Sequence, residues 1–200
     1  MSGFEVLFTS NPFIINKFMT DQLLISRIKA GDERAARQLV DQNQKMVLRT
    51  VSWIISDVGC AEDVSQEVFI HFFKNIDSYR GEASVRTILY RIAINLSLNK
   101  KRGVRKWFQG AVELLSIKPE IHMVDSLNEA IERKDKSTVL KWALDKLPEN
   151  QRLAFVLTKS EGLSQKEAAL IMKTSPKAIE SLIQRAKVSL RSYLADYYTN

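Results

Sequence analysis

The chain has 200 residues, enough for one large domain or two small ones, and its 45% hydrophobic and 26% charged composition is ordinary for a soluble globular protein. A net charge of +7 suits an anionic partner. The single cysteine, Cys60, excludes an internal disulfide and a multi-cysteine zinc site, and no stretch approaches the roughly 18 apolar residues that span a bilayer.

Seven glycines and four prolines among many Leu, Ile, Ala, Lys, Arg, Gln and Glu favour helices over sheets. Cys60 itself reads as a small buried apolar residue in a reducing cytoplasm. At the N-terminus, Phe13-Ile14-Ile15 is interrupted by Asn11, Pro12, Asn16 and Lys17, and no basic stretch precedes an apolar core as in a signal peptide. Residues 1–19 therefore read as a disordered tail, with Met19 an alternative start to Met1. Thr20 or Asp21 can cap a first helix that ends at Gly31, where the left-handed conformation is wanted. Asp32 starts a second helix to about Ile55, with Ala35, Leu39, Met46 and Val47 at helical spacing.

A break at Ser56–Gly59 precedes a third helix, about Ala61–Asn75. Its apolar face comprises Val64, Val68, Phe69, Phe72 and Phe73, with Glu62, Asp63, Gln66, Glu67 and Lys74 facing water. A turn at Gly81 leads to a fourth helix, about Ser84–Arg102. Between Glu82 and Glu113 there is no acidic residue, yet Arg86, Arg91, Lys100, Lys101, Arg102, Arg105 and Lys106 fall there. Tyr90, Asn95 and Asn99 are interleaved. Cations release counterions from phosphates, and aromatic faces stack on unpaired bases. A merely solvated basic face has the same composition.

Residues 103–128, with Gly103, Gly110 and Pro119, read as a flexible linker carrying one short helix at Val112–Ser116. A linker of about 25 residues relaxes to a span of about 30 Å and stretches to about 85 Å. Trp107 and Phe108 within it are either anchors on a partner or packing against a neighbouring helix.

Helical sequence resumes near Leu127 and forms a second domain, residues 129–200. Leu140, Leu144 and Leu147 lead to Pro148, and the helix Glu149–Lys159 stops at Gly162. Ser164 and Glu167 have the spacing of a capping box. Ala168 and Ala169 are small enough for a second helix to cross closely. After Lys173-Thr174, Ser175 caps a helix with Pro176 at its first position, where a missing N–H costs nothing. This is a helix-turn-helix, whose second helix enters a major groove; an ordinary helical hairpin is the structural alternative. The fold class is all-α: two small helical domains joined by a flexible linker, the second containing the helix-turn-helix.

Four stretches in order carry a family resemblance. Asp21–Met46 (DQLLISRIKAGDERAARQLVDQNQKM), Ala61–Phe69 (AEDVSQEVF), Tyr79–Arg102 (YRGEASVRTILYRIAINLSLNKKR) and Leu144–Leu194 resemble the bacterial RNA polymerase sigma factors of the sigma-70 family, extracytoplasmic-function (ECF) subfamily. The resemblance implies a sigma region 2 domain at 20–102 and a sigma region 4 domain at 129–200. Glu62, Asp63, Gln66, Glu67 and Phe69 would contact core RNA polymerase, with Phe69 as an exposed apolar anchor. The loop Tyr79, Arg80, Gly81, Glu82 and Ser84 would hold a flipped base of the −10 element. Arg86, Tyr90, Arg91, Asn95, Asn99 and Lys100 would line the strand behind it. Ser175, Lys177, Ser181, Gln184, Arg185 and Lys187 would touch the −35 duplex.

The partners implied are core RNA polymerase and promoter DNA, and, as for most members of the family, an anti-sigma factor. No cofactor is implied. Three departures stand out: Ile88 where the family often has Trp, Glu180 and Leu182 where many members carry Lys and Arg, and a head with no counterpart. A stand-alone helix-turn-helix regulator of duplex DNA would explain the second domain, but leaves the acidic helix and the aromatic-basic helix without a task. His71 and His122 are isolated, without metal-ligand spacing, a nucleophile–base motif or a glycine-rich phosphate loop, so no enzyme is expected.

Overall fold

The computed structural model describes residues 12–115 and 136–199, and every regular element among them is helical. The helices are α1 (Pro12–Lys29), α2 (Glu33–Ser52), α3 (Val58–Lys74), α4 (Val85–Leu115), α5 (Lys136–Asp145), α6 (Glu149–Phe155), α7 (Gln165–Met172) and α8 (Pro176–Thr199). The chain divides into two compact units, residues up to Ser52 with Asp57–Leu96, and Trp53–Ser56 with residues from Ser97 on, so one boundary falls inside α4, before the linker that the sequence places at 103–128. None of the helices among the described residues is long and apolar enough to cross a membrane.

Two expectations from sequence are corrected. Pro12–Met19, assigned to a disordered tail, are the first two turns of α1. Pro12 takes the first helical position, where its fixed φ and absent N–H suit a helix start. The helix passes through Thr20 and Asp21 without a break, so neither caps it. Likewise α4 continues beyond Arg102 to Leu115, into the expected linker. Gly103 and Gly110 cost about 1 kcal/mol each relative to Ala, which good helix formers such as Lys101, Arg102, Arg105 and Lys106 tolerate. The rest of the linker up to Leu127 and Asn128, and the start of the second domain, lie outside the described residues.

In the first unit the α1–α2 corner follows the sequence signals. Gly31 (φ +86°) closes α1, and the Asp32 amide reaches back to the Arg27 carbonyl at 3.0 Å. Asp32 Oδ1 accepts from the amides of Arg34 (2.9 Å) and Ala35 (3.2 Å), while Arg27 donates twice to Oδ2 (2.8 and 3.0 Å). The Arg27 guanidinium, with the Ala35 and Arg34 amides, holds the Asp32 carboxyl below its ordinary value of 3.8. A depressed carboxyl favours the fold above its unfolded pKa and loses that contribution as pH falls through the folded one. An NMR titration should place the Asp32 midpoint below 3.8, and Arg27→Gln should bring it back up. An unshifted midpoint in the unmodified protein contradicts the cap.

The core of this unit is lined by Leu39, Val47 and Val51 of α2, by Ala61, Val64, Val68 and Phe72 of α3, and by Val85, Leu89, Tyr90 and Ala93 of α4, all buried. Asp57 caps α3, accepting from the Cys60 amide at 2.7 Å. Buried hydroxyls find partners within their own helices: Thr50 donates to the Met46 carbonyl and Ser65 to that of Ala61.

In the second unit Ala143, Leu144 and Leu147 pack with Ala186 and Leu190 of α8. The buried Arg152 of α6 pairs with Asp145 at the end of α5. The last turn of α6 widens over Val156–Ser160, and Gly162 (φ +69°) then turns the chain, as its glycine predicts. Ser164 and Glu167 form the predicted capping box, at 3.2 Å to the Glu167 amide and 2.8 Å to the Ser164 amide. Ala168 and Ala169 are buried where α7 meets α8.

Candidate polymerase and nucleic-acid interfaces

The first surface is the outer face of α3. With 3.6 residues per turn, positions 62, 63, 66, 67 and 70 share one side of a helix whose opposite side is Ala61, Val64, Val68 and Phe72. Glu62, Asp63, Gln66 and Glu67 are exposed there, as expected. Phe69 is not: it is 8% exposed, so it packs in the core rather than standing out as an anchor. The wide apolar face of α3 hid this from sequence, because a run of two to four apolar residues does not say which one is outermost. The apolar residue among the carboxylates is instead Ile70, 52% exposed, which sequence reading missed. Its spacing of three and four from Glu67 and Gln66 was the available signal.

The second surface is the loop between α3 and α4. A 3-10 turn at Ile76–Ser78 brings Tyr79 to a half-buried place, where its hydroxyl donates to the Ala83 carbonyl at 2.9 Å and closes the loop on itself. Burial pushes the Tyr79 phenol up to about 12, and the charge of Asp21 adds to the effect, so it stays a donor throughout the neutral range. Gly81 has φ +76°, a conformation that side-chain-bearing residues rarely adopt. Arg80 and Glu82 are exposed on either side. Ser84 accepts from the Thr87 amide (3.1 Å) and shares a hydrogen bond with the Thr87 hydroxyl (2.9 Å), so its hydroxyl serves as a helix cap.

The loop walls a cleft of about 540 Å³, together with the end of α3 and the first turns of α4. His71 at the end of α3 and Asn75, its C-cap, line it on one side, and Ile88, Arg91 and Ile92 of α4 on the other. Neither His71 nor Asn75 was picked out by sequence; only the loop's proximity in three dimensions gives them a place there. Ile88, the departure from the family pattern, lines the cleft and is half-buried. Asn95, Asn99 and Lys100 are exposed further along α4, and Asn95 and Asn99 continue the line of Arg91 at four-residue steps.

Tyr90 does not join them. It is 0% exposed, beneath Arg86, whose guanidinium donates to the Tyr90 hydroxyl at 3.2 Å and lies 5.6 Å from the ring centroid. No base can stack on a fully enclosed ring, so the expected stacking role of Tyr90 is withdrawn. Arg86, half-buried, is engaged with that ring.

The third surface is the helix-turn-helix. Lys173 ends α7 in the left-handed conformation (φ 51°), and the Thr174 amide reaches the Ala169 carbonyl at 3.0 Å. Ser175 caps α8 by accepting from the Ala178 amide at 3.1 Å. Ile179, Ile183 and Ala186 hold α8 to its unit, which leaves Lys177, Ser181, Gln184, Arg185 and Lys187 exposed together with the Ser175 cap. Arg185 folds back along the helix and donates to the Ser181 hydroxyl (3.1 Å) and carbonyl (3.3 Å), so these two residues form one patch. Glu180 is exposed beside them and Leu182 is half-buried. Among the described residues no group of three His, Cys, Asp or Glu could hold a metal ion.

These arrangements match known proteins. Residues 39–107 fit the model of sigma-70 region 2, and residues 140–190 that of sigma-70 region 4. The chain is 31% identical over 183 residues to the RNA polymerase sigma-H factor of Pseudomonas aeruginosa, covering 85% of this chain and 91% of that one. It is 31% identical over 187 residues to the ECF RNA polymerase sigma-E factor of Escherichia coli, covering 86% and 93%. Among solved structures, CnrH in complex with the cytosolic domain of CnrY aligns with a TM-score of 0.66 at 24% identity, over 88% of this chain and 97% of that one. The sigma factor RpoE in complex with the anti-sigma factor NepR, from Bartonella quintana, aligns with a TM-score of 0.62 at 20% identity, over 80% and 96%. At those identities the structural likeness speaks for the all-helical fold, whereas the two family models and the full-length relatives speak for descent. The chain belongs to the sigma-70 family of bacterial RNA polymerase sigma factors, in the extracytoplasmic-function group, and directs promoter recognition and transcription initiation.

Proposed function

We propose that each of the three surfaces has its own part in initiation. The acidic face of α3, with Ile70 as its apolar centre, docks on core RNA polymerase. A charged rim around a small apolar anchor is the usual build of such an interface. The cleft behind the Tyr79–Ser84 loop receives an unstacked base of the −10 element. The observation that carries this reading is the cleft itself. At about 540 Å³ it falls within the roughly 300–1,000 Å³ of small-ligand sites, and Arg80, Glu82 and Arg91 offer donors and acceptors around it. Arg91, Asn95, Asn99 and Lys100 then follow the melted strand. In this reading Tyr79 and Ser84 shape the loop, and Gly81 lets its backbone turn.

The exposed patch of α8 reads the −35 duplex from the major groove. Lys177 and Lys187 meet phosphates there, and Ser181, Gln184 and Arg185 meet base edges. The protein adds no covalent chemistry. Its binding energy for the open strand offsets part of the cost of melting, and the core enzyme makes the RNA. It acts in the cytoplasm, where the polymerase is. An anti-sigma factor is its regulating partner, by extension from the structural neighbour solved with one.

Reconstitution with core polymerase tests this. Specific run-off transcription from a template bearing −10 and −35 elements is the expected result. Tight duplex binding by the chain alone, without transcription when core enzyme is added, would instead mark a stand-alone regulator.

A further inference from the structure

The promoter-reading loop has unexpected ties to α1, a helix whose sequence gives no hint of a role there. Lys29 donates from Nζ to the carbonyls of Asp77 (3.2 Å) and Tyr79 (3.4 Å), where the chain enters the loop. Two turns earlier, Asp21 Oδ2 accepts from the amide of Val85 (3.1 Å), where the chain leaves it and α4 begins. Between these, a Cβ placed on Gly81 would lie 3.0 Å from Nε2 of Gln22, so the loop's apex is close against the same helix.

Eight residues separate Asp21 from Lys29, about 12 Å along a helix. The two ends of the loop are thus tied to one face of one rigid rod, and the loop's own bond from Tyr79 to Ala83 lies between them. Beside the Gln22 contact, a groove of about 220 Å³ runs between α1 and the loop, lined by Gln22, Ile25, Lys29, Tyr79, Arg80 and Gly81, so the polar ties hold the loop where the two do not pack throughout. Asp21 caps a helix after all, but one that starts 64 residues later.

We propose that Asp21 and Lys29 are positioning residues for base selection: from α1 they hold both ends of the Tyr79–Ser84 loop in its base-receiving form before DNA arrives, and they touch no DNA themselves. This rests on the reading of the cleft as the base site. Without the ties, binding would have to order the loop, and that ordering would weaken discrimination at the base it reads. Core polymerase affinity, assigned to the acidic face of α3, would be unaffected.

The test uses the full chain assembled with core polymerase. The probe is fork-junction promoter DNA in which the unpaired non-template bases are randomised, and the DNA retained by each holoenzyme is sequenced. The unmodified protein enriches one base at one position. Asp21→Ala and Lys29→Met each flatten that enrichment about tenfold, with core affinity held within about twofold. Asp21→Asn, whose carboxamide oxygen still accepts from the Val85 amide, and Lys29→Arg, which still donates, retain most of it. In the free protein, amide exchange over residues 79–84 speeds up in Asp21→Ala and Lys29→Met and stays unchanged over α7 and α8. Lys29 is exposed, so Lys29→Met carries the test by itself if Asp21→Ala lowers the melting temperature. Enrichment that survives both substitutions, yet disappears when His71 and Arg91 of the cleft are changed to Ala, overturns the positioning role alone. Enrichment indifferent to His71 and Arg91 as well overturns the cleft reading, and the proposal with it.

Discussion

Replacing Asp63 and Glu67 together by Lys should weaken association with core polymerase by about a hundredfold or more, while the fold keeps its stability. Like-charge contacts across an interface cost several kcal/mol, and each 1.4 kcal/mol is roughly a factor of ten. Both residues are exposed on α3, away from its buried side, where substitutions usually change stability by no more than about 0.5 kcal/mol. The neighbouring apolar pair separates binding from folding more finely. Ile70→Ala should cost about 1–2 kcal/mol of core affinity and little stability, because Ile70 is 52% exposed until a partner covers it. Phe69→Ala should do the opposite, costing about 3–5 kcal/mol of folding stability through the cavity it leaves. Fluorescence titration against core enzyme and urea unfolding report the two quantities. Parallel loss of both in the Asp63/Glu67 double variant would refute the docking assignment.

A second large effect is expected at Tyr90. Tyr90→Ala should lower the stability of the first unit by about 3–5 kcal/mol, a large share of the roughly 5–15 kcal/mol that a domain has in total. The ring is wholly enclosed between α4 and the rest of its unit, so nothing fills the space when it is removed. Tyr90→Phe keeps the ring and gives up the bond from Arg86, a loss of about 0.5–1.5 kcal/mol. Denaturant unfolding distinguishes this from a role in stacking on DNA. A stacking residue would show the reverse pattern, with Tyr90→Ala folding normally and failing only to open promoters.

The helices themselves were legible from sequence wherever local chemistry decides. Gly31, Asp32, Gly162, Ser164 with Glu167, and Ser175 with Pro176 all stand where the structure starts or stops a helix, because caps and left-handed turns act over four or five residues. Less legible were signals that local rules treat as ambiguous. Gly103 and Gly110 read as breakers, and the polar residues around Phe13 read as an untidy tail, yet α4 and α1 run through them. The sites show the same split. Exposure of Glu62, Asp63, Gln66 and Glu67, and of the α8 patch, follows from helical period alone. Which member of the wide apolar face is innermost does not, and that is why Phe69 and Tyr90 were misplaced. The cleft was legible in part: Tyr79, Arg80, Gly81, Glu82 and Arg91 were named from the motif, whereas His71 and Asn75, which join them only through the fold, were not, and the bond from the Val85 amide to Asp21 crosses 64 residues.

Gly81 also constrains how this protein's promoter preference can change over generations. A side chain there would have to hold a positive φ and move the Gln22 amide by a few tenths of an ångström, so the apex of the Tyr79–Ser84 loop disfavours substitution. Drift toward new promoters is steered to its exposed flanks, Arg80 and Glu82, where chemistry can vary without reshaping the chain. Saturating residues 79–84 and selecting on altered promoters should return variants at those two flanks with glycine kept between them; a functional non-glycine apex would contradict this.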